Sequence, residues 1–573
     1  MHADDEPAIH LLLSHADDHR PTLADGLPGA AIREPSVETE ELAPLSFYDV
    51  GAAGNDLEQQ GWGVLAPTGD HGDAMLAAIA PLIAHRAAQQ GRPVRVYRVP
   101  PRMSASQAAR WRKQVFNIDE PEDIPYYQLL LGDLDELSGE LQQVQSLGGC
   151  VGRLAFTSLA DYESYAAKVL RWELAPPQVG PAPALFHTVH DGSAATTLGH
   201  RSLVAPVLSL AHDARSRARF PADLHELGDS TDPSPDDLLA HVDAPGGLLF
   251  SLSHGDGAPR QGWRSEQDRR SGQGAMSFGR AGSLRGADLA ARPFMPGGVW
   301  FMFACFGAGT PDRSRFHHWL AHLAALGKFR GNVDAVLASL PRGDERPFVA
   351  DLPRTLLANP EGPLAFIGHL DLAWSYAFME MDDSKAKRPA KFYNVLRALV
   401  RGDRAGIAAQ ELTRFYSDTN DELAELHDAA EAQRSGGQPT TSDPRLGHLW
   451  MLRQDLAGYI LLGDPAVQLP RGEPHNPVRP ADPKNDSTHH WPTTITTEPA
   501  SSPASRSPAP AVATPLALPA LESAIHALLA GDEPALAVHL RELGLDRPTL
   551  ERWRDRYTAA GRDALARHLR DGD

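Results

Sequence analysis

Short apolar runs alternate with amphipathic stretches along this chain. Gly61-Trp-Gly-Val-Leu-Ala-Pro67 reads as a buried strand. Residues 73–90 follow with Met75, Ile79, Leu82 and Ile83 on one helical face, closed by Gly91. Val94–Val99 reads as a second strand, 104–114 as a polar helix, and Tyr126-Tyr-Gln-Leu-Leu-Leu-Gly-Asp133 as a third strand ending in a turn. Strand, helix, strand, helix, strand predicts an α/β sheet with helices on its faces.

The alternation restarts after Pro176-Pro177. Ala184–Val189 is read as a strand and Ser202–Leu210 as a helix. Asp236–Val242 is a short helix, and Gly247–Ser253 a buried strand. Gly298–Ala304 and Pro363–Gly368 are near-continuous apolar runs of the kind found in central parallel strands. No short-period repeat relates the two halves. From Arg471 to Pro519 there are 11 prolines in 49 residues, with much Ser and Thr, which is the composition of a linker. Apolar stripes return with Leu521, Ile525, Leu528 and Leu529, then with Leu536, Leu540 and Leu543. The expected layout is an acidic irregular segment (1–45), an N-terminal α/β subdomain (46–179) and a second α/β subdomain (180–470). A linker (471–519) and a small helical module (520–573) complete it.

Composition narrows the function. The 573 residues carry a net charge of −20, with 42% hydrophobic and 22% charged residues. This charge argues against an electrostatic grip on nucleic acid or anionic membrane. No apolar run has the length of a membrane span, and the acidic start lacks the pattern of a signal peptide. Two cysteines, Cys150 and Cys305, permit neither a disulfide framework nor a four-cysteine zinc site. His187, His190, His317 and His318 lack further ligands at a recognisable spacing, so no metal and no cofactor is expected. Gly69-Asp-His-Gly lacks the Lys-Ser/Thr of a phosphate-binding loop. The resulting expectation is a cytoplasmic, soluble, metal-independent protein.

Two turns carry candidate chemistry because each follows a buried strand: Ser253-His254-Gly255-Asp256-Gly257 and Ala304-Cys305-Phe306-Gly307. Carboxyl ends of strands form the ligand-binding edge of such sheets. An imidazole there can take a thiol proton, and the thiolate can attack a carbonyl carbon. The N–H groups of Gly255 and Cys305 are the candidate oxyanion donors.

Cys305 stands 51 positions after His254, close to the spacing of the caspase signature. Ala304-Cys305-Phe306-Gly307 matches that signature's Ala-Cys-x-Gly, with Phe303 where its Gln stands. The chain therefore resembles the caspase-like clan of cysteine peptidases, which includes caspases, metacaspases, gingipains, separases and bacterial CHAT-domain proteases. Pro125–Asp133, Cys150–Leu154, Ile367–Trp374 and Leu461-Leu-Gly-Asp-Pro-Ala466 resemble the bacterial gingipain-like and CHAT-like members. The resemblance spans about residues 60–470. It implies a caspase-hemoglobinase catalytic domain and a cysteine endopeptidase with His254 as base and Cys305 as nucleophile.

It also directs attention to the loop after the first catalytic strand, where Asp191 offers a carboxylate; Asp256 is a second. Clan members that prefer Arg or Lys use acidic pockets, so cleavage after a basic residue is expected. Asp371 and Trp374, beyond a later strand, are further candidates for the cleft wall. The C-terminal helices resemble the small recruitment domains found beside caspase-like proteases in immune and cell-death systems, which would bind an adaptor or effector protein. The rival readings are a catalytically silent scaffold that recruits partners through those helices and a Cys–His enzyme acting on a small molecule.

Overall fold

The structure, a computed structural model, describes residues 54–470 apart from 117–123, 175–181, 229–231, 260–261, 327–336, 338–339, 344, 379–387 and 436–443. The irregular segment, linker and helical module expected at the two ends lie outside the described residues.

The central feature is one ten-stranded mixed sheet, confirming the α/β class. Its strands are β1 (Trp62–Pro67), β2 (Arg95–Val99), β3 (Tyr127–Leu131), β4 (Cys150–Leu154) and β5 (Ala182–Thr188), followed by β6 (Ala222–Leu227), β7 (Leu248–Leu252), β8 (Val299–Phe303), β9 (Ala365–His369) and β10 (Tyr459–Gly463). They lie in the order β2-β1-β3-β4-β10-β9-β8-β7-β5-β6. Every neighbouring pair is parallel except β9 with β10. The sheet thus has two parallel halves running in opposite directions, joined at one antiparallel seam.

The interior strands β3, β4, β7, β8 and β9 are buried at every position, which explains the apolar runs of β7 and β8; β4 buries Arg153 as well, and its sequence gave no strand signal. The outer strand β6 is only partly buried, and its polar sequence Ala-Asp-Leu-His-Glu-Leu gave no strand signal. Helices differ from expectation where local chemistry intervenes. The stretch 73–90 divides into Asp70–Ala78 and Ala80–Gln90, with Ile79 between them off helical geometry and Pro81 in the first turn of the second helix, where the missing N–H costs nothing. The helix expected at 104–114 starts with a capping box at Ser104 and Gln107 and finishes as a π-turn over Arg112–Phe116.

A buried charge cluster clamps the seam on the side where β10 exits. Arg86 is fully buried; its Nε and Nη2 donate to Asp464 at 2.9 and 2.7 Å, and its Nη1 and Nη2 to Glu173 at 2.7 Å each. Trp62 Nε1 donates to Asp464 at 2.9 Å. The Asp464 N–H donates to the Tyr165 hydroxyl, which in turn donates to the Leu364 carbonyl. The Gly-Asp-Pro turn after β10 is therefore a structural fastener. Cys150 is fully buried in β4, and burial pushes its thiol upward, consistent with an inert core position.

Candidate active site

Strand register brings the two candidate turns level. Leu252 of β7 pairs with Phe303 of β8, and His254 and Cys305 each lie two residues beyond those partners. Ile367 of β9 pairs with Phe301, so Asp371 and Cys305 each lie four residues further on. Thr188 of β5 pairs with Leu252, and Asp191 follows in the next loop. The strands β5, β7, β8 and β9 all end at this edge.

The turns are in backbone contact. A Cβ added to Gly255 would stand 2.9 Å from the Cys305 carbonyl carbon and against its oxygen, so only glycine permits this approach. The Asp256 N–H donates to the Ala275 carbonyl at 2.9 Å. Ladder donors alternate sides along an antiparallel pair, which turns the Gly255 N–H, one residue earlier, away from that partner.

His254 is 45% exposed at its side chain. Its Nε2 lies 3.0 Å from the Ser193 hydroxyl and 3.7 Å from Asp191 Oδ2. Asp191 Oδ1 accepts from the Ser193 N–H at 3.0 Å and the Thr196 hydroxyl at 2.8 Å, while Ser193 caps the helix Ala194–Gly199. Burial works to raise the Asp191 pKa, but these hydrogen bonds and His254 outweigh it and hold the carboxyl below its ordinary value. An ionised carboxylate beside the imidazole stabilises the imidazolium that forms when a thiol proton is taken.

Cys305 Sγ accepts the Ala373 N–H at 3.3 Å. Burial pushes its pKa up to about 11; the Ala373 N–H opposes this, and the Asp455 and Asp371 carboxylates add to it. Near neutral pH the group is a neutral thiol. Its alkylation by iodoacetamide should therefore speed up about tenfold per pH unit between about pH 7 and 10. A rate already level at neutral pH would mean a preformed thiolate and contradict this picture. The next residue, Phe306, has a left-handed backbone with φ 56°, a conformation costing roughly 1–3 kcal/mol for a non-glycine residue. Its N–H donates to the Asp371 carbonyl at 2.9 Å and its ring is buried, which holds it there.

The remaining candidates separate. Asp256 is half-buried beside the His254 turn. Asp371 is buried, and its carboxylate is occupied locally: Oδ1 accepts from the Ser314 hydroxyl and the Leu372 N–H, and Oδ2 from the Arg315 N–H, each at 2.8 Å. Trp374 packs edge-on against Phe316 and Trp319, in the same apolar cluster as Cys305. Sequence reading missed Ser193 and Ala373. The Ser193-x-x-Thr196 capping pattern was a signal for the first; a backbone donor such as Ala373 leaves none. Among the described residues no group of three or more His, Cys, Asp or Glu is placed to hold a metal ion, and no helix is long and apolar enough to cross a membrane.

No family model and no curated protein sequence matches the chain. Among solved structures it is similar to the Arg-specific cysteine proteinase gingipain R, at 11% identity and TM-score 0.41, over 72% of this chain and 78% of that one. A complex of Porphyromonas gingivalis RgpB pro- and mature domains aligns at 11% identity and TM-score 0.41, over 71% and 80%. The Saccharomyces cerevisiae separase–securin complex aligns at 9% identity and TM-score 0.27, over 59% of this chain and 15% of that one.

Proposed function

We propose that the protein is a cysteine endopeptidase of the caspase-like clan, with Cys305 as nucleophile and His254 as general base. The observation that carries this reading is the level placement of His254 and Cys305 on adjacent parallel strand ends, with Gly255 pressed onto the Cys305 backbone. His254 takes the thiol proton as sulfur attacks the scissile carbonyl carbon. The N–H groups of Gly255 and Cys305 hold the oxyanion. The tetrahedral intermediate collapses as the imidazolium protonates the leaving amine, giving a thioester. Water, deprotonated by His254, then releases the carboxylate product and restores the thiol. Incubation with a peptide library, followed by mass spectrometry of the fragments, tests the activity directly; an intact library would remove the reading.

The reading extends to cleavage after a basic residue. Support comes from Asp256, half-buried next to the catalytic turn, and from the negative charge of the whole chain, which attracts cationic substrates weakly and in a salt-sensitive way. Asp191, with its oxygens on Ser193, Thr196 and His254, acts on the imidazole. Two substitutions divide these roles. Asp191→Asn should lower kcat on every substrate, whereas Asp256→Asn should raise KM for arginyl peptides alone. Faster cleavage of a matched aspartyl peptide by wild type would overturn the basic preference.

A further inference from the structure

Behind Cys305, on the side away from His254, lies a second imidazole–carboxylate pair. His369 ends β9 and Asp455 lies in the last turn of the helix Pro444–Leu456; both are fully buried. His369 Nε2 is 2.7 Å from the Asp455 carbonyl and 3.2 Å from Asp455 Oδ1. His369 Nδ1 is 2.9 Å from the Asp371 carbonyl. Gly458 makes this packing possible, since a Cβ there would stand 2.1 Å from His369 Nε2.

The pair is wired to the nucleophile through main-chain groups. Asp455 Oδ1 accepts the Trp374 N–H at 3.1 Å, and the preceding amide, Ala373 N–H, is the one that holds Cys305 Sγ. The Asp371 carbonyl that faces His369 also accepts the Phe306 N–H, and the His369 carbonyl accepts the Ala308 N–H at 3.0 Å. Phe306 and Ala308, which follow Cys305, and the Cys305 sulfur itself are thus held by the segment 369–374, and that segment is held by His369 and Asp455. Burying two such polar groups is costly unless they are paired, and here each is paired with the other and with main-chain groups of the segment 371–374. Oδ2 of Asp455 adds no hydrogen bond among the described residues; the work falls on Oδ1.

We infer that His369 and Asp455 are positioning residues for the nucleophile, setting the direction of the Cys305 sulfur through the Ala373 and Trp374 amides. The inference rests on the peptidase reading for its catalytic consequence, though not for the geometry. Asp455→Asn keeps the Oδ1 acceptor and Asp455→Ala removes it. The expected result is kcat close to wild type for Asp455→Asn and lower by about 100-fold for Asp455→Ala, the scale of a misplacement near 1 Å, with KM unchanged within about twofold. If Asp455→Ala fails to fold, His369→Gln carries the same comparison, with kcat reduced at least about tenfold at unchanged KM. Equal kcat for Asp455→Asn and Asp455→Ala, wild-type kcat in His369→Gln, or a loss that appears only in KM would overturn the inference. A wild type that cleaves no peptide would defeat the peptidase reading alone. Iodoacetamide labelling of Cys305, mapped by mass spectrometry, then still decides: faster labelling in Asp455→Ala than in Asp455→Asn supports the positioning role, and equal rates refute it.

Discussion

Replacing Cys305 with Ala should abolish peptide cleavage while leaving the fold intact. Its side chain is small and only partly buried, so the loss of one sulfur atom leaves little to repack. His254→Ala should match that loss, because a thiol pushed up to about 11 supplies almost no thiolate near neutrality without a base. The expected fall in kcat is at least about 1,000-fold for each, and the double variant should be little worse than either, since the two groups act as one unit. Initial-rate kinetics on a peptide taken from the library, with circular dichroism as a folding control, checks both. Retention of more than a few per cent of wild-type turnover by Cys305→Ala would place the nucleophile elsewhere.

Substitution of Arg86 should produce the largest stability loss. Arg86→Met leaves the fully buried Asp464 and the mostly buried Glu173 without their cation. Breaking such a cluster from one side costs about 3–5 kcal/mol. Pairing Arg86→Met with Asp464→Asn should recover part of that, because the uncompensated charge is then removed. Denaturant midpoints of the two single variants and the double variant measure the coupling. An unchanged midpoint for Arg86→Met would show that the cluster does not stabilise the seam.

Much of this arrangement was legible in the sequence, and the physical reason is burial. Strands β1, β3, β7, β8 and β9 announce themselves because central parallel strands are apolar on both faces. His254 and Cys305 were legible because each follows such a run directly. The outer strand β6 was not, since solvent tolerates its Asp, His and Glu. The seam was hidden for another reason: β10 pairs with β9 and β4, residues far away in the chain, and no local pattern encodes a partner. Asp191 shows the same limit at the site. Its carboxylate was visible in the loop after β5, but whether it faces a substrate pocket or His254 depends on a distance that only folding sets. His369 and Asp371 were visible as residues within a family-like segment, and their hydrogen bonds were not.

The level placement of His254 and Cys305 has a consequence for how such a chain tolerates change. What aligns His254 with Cys305 is their equal offset of two residues beyond a paired position, Leu252 with Phe303. The intervening excursion, which carries the short strands Met276–Ser277 and Ser283–Leu284, can lengthen or shorten without changing that offset. One residue inserted between Phe303 and Cys305, by contrast, would advance the sulfur by a strand step of about 3.3 Å and turn it to the opposite face. A change of loop length leaves the alignment of His254 with Cys305 in place, while a change in the count from strand end to the Cys305 sulfur breaks it.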